Sequence, residues 1–244
     1  MRSKALVKFL NRAACFDEDL ELVSVVSHAV RCGDLSPEPG DVLFAHVDES
    51  EHPRLMKTKV SDSNREKVIG HLRQTLYAAH IKDLYEDFVD YLAAISTSLV
   101  HNGIASDALR GEYKLQLAAS SILECGSWEA VLDSVNDALG ERLKVMGTHK
   151  TVEFLDKRIG LGLDEAMVEV AFRYLDLRHL LVHEDGRADE RFCKSHPDFL
   201  ATPGRTIKLD ASITREARRA ITALVEHVDA QAVRLKVLSS DILQ

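Results

Sequence analysis

Apolar residues recur at three- and four-residue steps through most of this chain, the spacing that places them on one face of an α-helix. The longest such run lies between residues 61 and 100. Its apolar positions are Leu72, Leu76, Ala79, Leu84, Phe88, Tyr91, Leu92 and Ile95. The run predicts one long helix, or two helices separated near Gly70 or His80.

Capping residues predict further helices toward the C-terminus. Asp107, Ser127, Asp164 and Ser212 each precede a segment of helical periodicity. The helix that follows Asp164 is predicted to end at Gly186, because glycine is common just after a helix. Its buried stripe is predicted to consist of Met167, Val170, Tyr174, Leu177 and Leu181.

The remaining segments predict shorter elements. Residues 1–35 predict two short helices, the second capped by Asp17 and ended by Gly33. A proline-containing loop follows, and "DVLFAHV" within it predicts a short strand. Residues 189–204 show no helical period, and "RTIKL" at 205–209 predicts a second short strand.

These elements predict an all-α helical bundle at 61–244 behind a small mixed N-terminal extension at 1–60. The composition agrees, since 45% of the 244 residues are hydrophobic, 29% are charged and only five are proline. We expect the single tryptophan, Trp128, to lie in the core rather than to serve as a platform for base stacking.

Net charge and cysteine spacing narrow the possible functions. A formal net charge of −8 argues against nonspecific nucleic-acid binding by a uniformly basic surface, but it leaves room for a local basic site. The four cysteines form no CxxC pair, which disfavours a zinc ribbon or a redox motif. No apolar run approaches the roughly 20 residues of a membrane span, and no signal-peptide pattern opens the chain. We therefore expect a soluble, cytoplasmic protein without a membrane partner.

The segment "RHLLVHEDG" carries the residues best suited to chemistry. Arg178 could bind phosphate through its planar guanidinium, and His183 could move protons near neutral pH. Five helical steps separate their Cα positions by roughly 140° around the helix axis, so the arginine must swing toward the histidine. Basic residues are also common at the ends of ordinary helices, and this segment is equally typical of such an end.

A metal site is an alternative for the same segment. His179 and His183 have the i, i+4 spacing of paired metal ligands. A third ligand could come from Glu184, Asp185, Cys193 or His196. The HExxH order is missing, however, because the acid follows the second histidine. We therefore expect no bound metal.

The stretch "LRHLLVHEDGRADERF" resembles the signature of the HEPN superfamily, whose motif helix carries R-[N/D/H]-x-x-x-H before a glycine turn. Arg178, His179 and His183 occupy the motif positions. The order of elements is also similar, with "LYEDFVDYLAAI" upstream and "G-x-x-I-x-L" at 204–209 before a long terminal helix. The resemblance covers about 61–244, and residues 1–60 fall outside it.

The resemblance implies an α-helical bundle that dimerises, here through the helices at 61–101 and 164–184, with the motif helices meeting at a cleft. Many HEPN proteins are metal-independent endoribonucleases that act as toxins or effectors in bacterial defence. They need no cofactor. Their partners are RNA, a second copy of the chain, and an antitoxin or another defence-system protein.

By the same resemblance, His183 would act as general base on a ribose 2′-OH or as general acid on the 5′-oxygen. Arg178 would stabilise the charge on the phosphate, and His179 would orient one of these groups or contact phosphate. Glu86 is a weaker candidate for contacting substrate in the cleft. The alternative is a catalytically silent HEPN module that binds a nucleotide or a partner protein.

Overall fold

The computed structural model describes residues 2–32, 34–35, 48, 50–56, 62–102 and 115–238. In these residues the protein is all-α, as predicted, and contains no β-strand. Its α-helices are α1 (Lys4–Cys32), α2 (Pro53–Met56), α3 (Asp62–His101), α4 (Ala119–Glu124), α5 (Trp128–Met146), α6 (Thr148–Leu155), α7 (Glu165–His183), α8 (Glu190–Ser195) and α9 (Ala211–Arg234). A π-helical turn (Asp156–Gly160) follows α6, and a 3-10 turn (Pro197–Phe199) follows α8. No helix in the described ranges is long and apolar enough to cross a bilayer.

Several helix boundaries follow the capping signals. The long run forms one uninterrupted helix, α3, of 40 residues. The Ser127 side chain caps α5 by accepting a hydrogen bond from the Ala130 amide at 3.1 Å. The Asp164 side chain likewise accepts from the Ala166 amide at 3.0 Å, just before α7. Beyond α7, Gly186 adopts a φ of 72°, the left-handed conformation that favours glycine.

The prediction of two short helices in residues 1–35 is wrong, because α1 is continuous over 29 residues. Asp17 lies inside it rather than at its start, and neither glycine nor proline interrupts the segment Lys4–Cys32. Lys4–Cys32 therefore forms a single helix. The loop residues 36–47, which include "DVLFAHV", lie outside the described residues.

Three other predictions also differ. Residues 189–204 were expected to be irregular, but they contain α8 (Glu190–Ser195), capped by the Asp189 side chain. The strand at "RTIKL" is wrong: Thr206 forms one isolated bridge with Arg187, too little pairing for a ladder. The helix expected after Asp107 begins within residues 103–114, which lie outside the described residues. Residues 115–118 are not helical, and α4 contributes only six residues after them.

The exposure of two side chains differs from the predicted burial. On α7, Tyr174, Leu177 and Leu181 are buried as predicted, whereas Val170 is 41% exposed. Trp128 was expected in the core and is 70% exposed, because it stands in the first turn of α5 with its side chain toward solvent.

The chain divides into two compact units. Unit 1 comprises the described residues within Met1–Arg12, Asp83–His179 and Ala217–Gln244, and unit 2 those within Ala13–Lys82 and Leu180–Glu216. The helices α1, α3, α7 and α9 contribute residues to both units. These limits do not follow a boundary near residue 60, and the division into 1–60 and 61–244 stays a prediction.

A buried carboxylate joins the N-terminus to the rest of unit 1. Asp229 on α9 is 1% exposed and accepts hydrogen bonds from the Ser3 amide at 3.1 Å and from the Ser3 hydroxyl. The Tyr91 hydroxyl on α3 donates to the same carboxylate at 3.4 Å. Burial raises the pKa of Tyr91 well above its ordinary value of 10.0, and the charge of Asp229 raises it further.

Unit 2 contains a side-chain clamp on the segment that follows α7. The Gln74 amide nitrogen on α3 donates to the Ile207 carbonyl at 2.9 Å, and its oxygen accepts from the Leu209 amide at 3.0 Å. Gly186, three residues past the end of α7, accepts from the Ile207 amide at 2.9 Å. This segment is therefore tied both to α3 and to the turn that ends α7.

Candidate functional site

Arg178 lies on α7 within unit 1, and its guanidinium stacks on an aromatic ring. The guanidinium carbon is 4.2 Å from the centroid of the Tyr85 ring on α3. That distance is within the range of a cation–π interaction. The Nε atom of Arg178 is buried and meets no hydrogen-bond acceptor among the described residues. A buried donor left without an acceptor costs roughly 1–3 kcal/mol, so the arrangement calls for an explanation.

Three further contacts in unit 1 lie around this pair. The hydroxyl oxygens of Tyr85 and Thr148, the first residue of α6, are hydrogen bonded at 2.6 Å. At the next residue, His149 Nε2 is 3.3 Å from the Asp176 carboxylate on α7, and the His149 ring lies 4.0 Å from that of Phe172. The helices α3, α6 and α7 are therefore joined by polar contacts around Tyr85.

The two histidines of the motif occupy exposed positions on α7. His179 follows Arg178 within unit 1, and its side chain is exposed. His183 is the last residue of α7, belongs to unit 2 and is also exposed. After it, the amides of Glu184 and Gly186 both donate to the Leu180 carbonyl, at 3.0 and 2.9 Å. The three predicted residues thus lie on one helix, with Arg178 and His179 in unit 1 and His183 in unit 2.

The alternative ligands for a metal do not gather in the described ranges. Within them, no three or more His, Cys, Asp and Glu side chains form a group that could hold a metal ion. The His196 ring instead packs against aromatic neighbours in unit 2, 4.8 Å from the Phe192 ring and 6.2 Å from the Phe199 ring. Cys193 is a free, half-exposed thiol.

Glu86, the weaker candidate, lines a cleft in unit 1 with a volume of about 760 Å³. The cleft lies between α3 and the pair α5 and α6, and its size is typical of small-molecule sites. Tyr85 and Thr148 line it as well, so the tyrosine that supports Arg178 also faces this cavity. The Glu86 side chain is exposed at the rim.

Sequence patterns missed the Tyr85 arrangement because its partners are remote in the chain. Tyr85 and Thr148 are 63 residues apart, and no local period connects them. One signal was present: Tyr85 immediately precedes Glu86 in "LYEDF", the segment that supplied the weaker candidate.

Comparisons with known proteins give no family assignment. No family model, curated protein or solved structure matches this chain. The interpretation of Arg178, His179 and His183 therefore rests on these residues and their surroundings.

Proposed function

We propose that this protein is a metal-independent endoribonuclease of the HEPN type that acts as a toxin or effector in a bacterial defence or toxin–antitoxin system. The observation that carries the proposal is the environment of the Arg178 guanidinium. Its guanidinium is stacked on Tyr85, and its buried Nε has no acceptor among the described residues. An anionic ligand such as a phosphate would supply the missing acceptor, and arginine binds phosphate in a planar fork.

In the proposed reaction, a ribose 2′-oxygen attacks the adjacent phosphorus and the bond from phosphorus to the 5′-oxygen breaks. His183 takes the proton of the 2′-OH or delivers a proton to the departing 5′-oxygen. Arg178 stabilises the charge that builds on the phosphate, and His179 orients Arg178 or His183 or contacts phosphate. The products are a 2′,3′-cyclic phosphate and a 5′-OH.

A homodimer would complete this chemistry, because two motif copies across a twofold axis could supply an acid and a base. An antitoxin or another defence-system protein would hold the enzyme in check. Such an effector would meet its RNA in the cytoplasm.

The test is cleavage of a single-stranded RNA by the purified chain and two variants. His183→Ala should lower the cleavage rate by about 10²–10⁴-fold through loss of proton transfer. Arg178→Ala should lower it by roughly 10²–10³-fold through loss of charge stabilisation. Because the residues act as a unit, the double variant should be little worse than either single one.

The controls match residue type, and the histidine control also matches the exposure of His183. His71→Ala and Arg219→Ala alter an exposed histidine and an exposed arginine outside the motif, and both should cut at the wild-type rate. Cleavage should also persist in EDTA. Motif variants that cut as well as wild type would place the chemistry elsewhere, and activity lost in EDTA and restored by zinc would favour a metalloenzyme.

A second candidate function is a silent module that binds a nucleotide or a partner protein. The net charge of −8 and the carboxylates around the Glu86 cleft favour a partner protein as its ligand, because both repel the phosphates of RNA and of a nucleotide. A wild-type protein that cuts no RNA under any condition tested would support this candidate instead.

A further inference from the structure

His149 and Asp176 form a histidine–carboxylate pair in unit 1. The Nε2 atom of His149, in the first turn of α6, lies 3.3 Å from a carboxylate oxygen of Asp176 on α7. The His149 ring also packs on Phe172, with the two ring centroids 4.0 Å apart. Phe172 and Asp176 are one helical turn apart, so they lie on the same face of α7. Together they fix both the position and the orientation of the imidazole.

The carboxylate also determines which ring nitrogen of His149 carries the proton. An ionised carboxylate accepts hydrogen bonds but cannot donate them, so Nε2 must be the donor. In the neutral ring the other nitrogen, Nδ1, therefore holds the lone pair that can take a proton. The His149 side chain is 54% exposed, so a substrate in solution can reach it. An oriented and accessible imidazole is suited to general acid–base catalysis.

Short contacts connect this pair to Arg178 within unit 1. Thr148, the residue before His149, is hydrogen bonded to the Tyr85 hydroxyl at 2.6 Å. The Tyr85 ring centroid in turn lies 4.2 Å from the Arg178 guanidinium carbon. Asp176 precedes Arg178 by two residues, so the contacts begin and end on α7. The imidazole and the guanidinium are therefore both neighbours of the Tyr85–Thr148 pair.

A second histidine–carboxylate pair in unit 1 has a different environment. His101 Nε2 also lies 3.3 Å from a carboxylate oxygen, that of Asp133 on α5. Its Nδ1 atom, however, lies 3.0 Å from the Thr97 carbonyl of its own helix. Both ring nitrogens of His101 thus face acceptors, which leaves neither of them to take a proton from a substrate. His101 is also about 24 Å from Tyr85 along α3, at the rise of an α-helix.

We propose that His149, oriented by Asp176, is a second proton-transfer residue of the RNA-cleavage reaction. The inference rests on the proposed function, in which His183 transfers one proton and Arg178 binds the phosphate. As the 2′-oxygen forms its bond to phosphorus, one imidazole takes the 2′-OH proton. As the bond from phosphorus to the 5′-oxygen breaks, the other imidazole delivers a proton to that oxygen. His149 would act through Nδ1 in each copy of the proposed homodimer, and Asp176 would be a positioning residue.

The experiment measures kcat and KM for cleavage of a single-stranded RNA by the full chain. His149→Gln keeps a donor for Asp176 but cannot carry a proton, so kcat should fall by about 10²–10⁴-fold with little change in KM. His149→Ala should lose activity to a similar extent. Free imidazole should restore part of that activity, because the small base can occupy the space left by the side chain. Imidazole should restore none to Arg178→Ala.

The role of Asp176 is tested by combining substitutions. Asp176→Asn should lower kcat, because an amide does not hold the imidazole in a single tautomer. If Asp176 acts through His149, adding Asp176→Asn to His149→Gln should cause no further loss. A purely structural role would instead add a second loss. The matched control is His101→Gln, which alters a pair of the same distance and should cut at the wild-type rate.

The proposal holds if His149→Gln loses kcat, imidazole restores activity to His149→Ala, and His101→Gln cuts as wild type does. Full activity in His149→Gln, with activity still lost in His183→Ala, would overturn this inference and leave the proposed function standing. A wild-type protein that cuts no RNA would overturn both. Equal losses in His149→Gln and His101→Gln would also overturn the inference, because the effect would then come from the fold rather than from proton transfer.

Discussion

At the scale of single residues, Tyr85 lines the cleft in unit 1 and also contacts Arg178, the arginine of the motif. Its ring lies under the Arg178 guanidinium and its hydroxyl bonds Thr148. We expect Tyr85→Leu to lower kcat/KM for RNA cleavage by about tenfold, because a partly buried cation–π contact contributes roughly 0.5–2 kcal/mol. Tyr85→Phe keeps the ring and should retain most of the activity.

The distinguishing measurement is the dependence of cleavage on substrate concentration for the two Tyr85 variants. If Tyr85 positions Arg178 for the transition state, the leucine variant should lose kcat with little change in KM. An equal loss in the leucine and phenylalanine variants would assign the effect to the hydroxyl and its bond to Thr148 instead.

At the scale of secondary-structure elements, Asp229 connects α9 to the N-terminal residues and to α3. Asp229→Ala would leave the Ser3 and Tyr91 donors without their acceptor, and each such buried group costs roughly 1–3 kcal/mol. We expect a clear fall in the free energy of unfolding, measured by urea denaturation with far-UV circular dichroism.

The control for that change lies on the same helix. Glu226 pairs with Arg2 at 3.4 Å, but both side chains are exposed. Glu226→Ala should change the free energy of unfolding by less than about 0.5 kcal/mol. Equal effects of the two substitutions would mean that the buried carboxylate contributes no more than an exposed one.

Local signals predicted the elements that depend on local chemistry. Ser127 and Asp164 mark helix starts because their side chains accept hydrogen bonds from amides two or three residues later. The same logic failed at Asp17, where the chain continues as helix because no glycine or proline stops it.

Local sequence patterns could not predict contacts between segments that are distant in the chain. Thr206 and Ile207 are residue types that favour a strand, yet their segment forms only one bridge, between Thr206 and Arg187. The segment is held instead by Gln74, which bonds the Ile207 carbonyl from 133 residues away in the chain. In the candidate site, too, some features were predictable from local sequence and others depend on tertiary packing. A continuous helix places Arg178, His179 and His183 by spacing alone, whereas Tyr85 reaches Arg178 only through tertiary packing.

At the scale of the whole molecule, we expect burial of Tyr91 to make the free energy of unfolding fall at alkaline pH. In the unfolded chain a tyrosine ionises near pH 10, whereas burial keeps Tyr91 protonated well above that value in the folded state. Unfolding above about pH 10 therefore releases a proton, and stability falls as pH rises, by up to about 1.4 kcal/mol per pH unit. Below pH 10 the contribution is fully present.

The measurement is the melting temperature from pH 9 to pH 11 in wild type and Tyr91→Phe. The phenylalanine variant lacks the ionising group and should show a shallower decline. Parallel declines in the two proteins would locate the alkaline sensitivity in other groups.

The proposed homodimer is a further prediction for the whole molecule. Sedimentation at micromolar concentration should give twice the chain mass of 27.2 kDa, since the proposed site needs two motif helices. The experiment requires a reductant, because Cys15 and Cys32 are exposed free thiols that could form a covalent dimer in air. A monomer under reducing conditions would count against a two-copy site.

The exposure of Trp128 determines how all these variants can be followed spectroscopically. The chain has one tryptophan, and 70% of its surface already meets solvent in the folded protein. Its fluorescence should therefore emit at long wavelength and be quenched readily by acrylamide before any denaturant is added. An intrinsic-fluorescence melt would then report little change on unfolding, and a well-folded sample could be mistaken for an unfolded one.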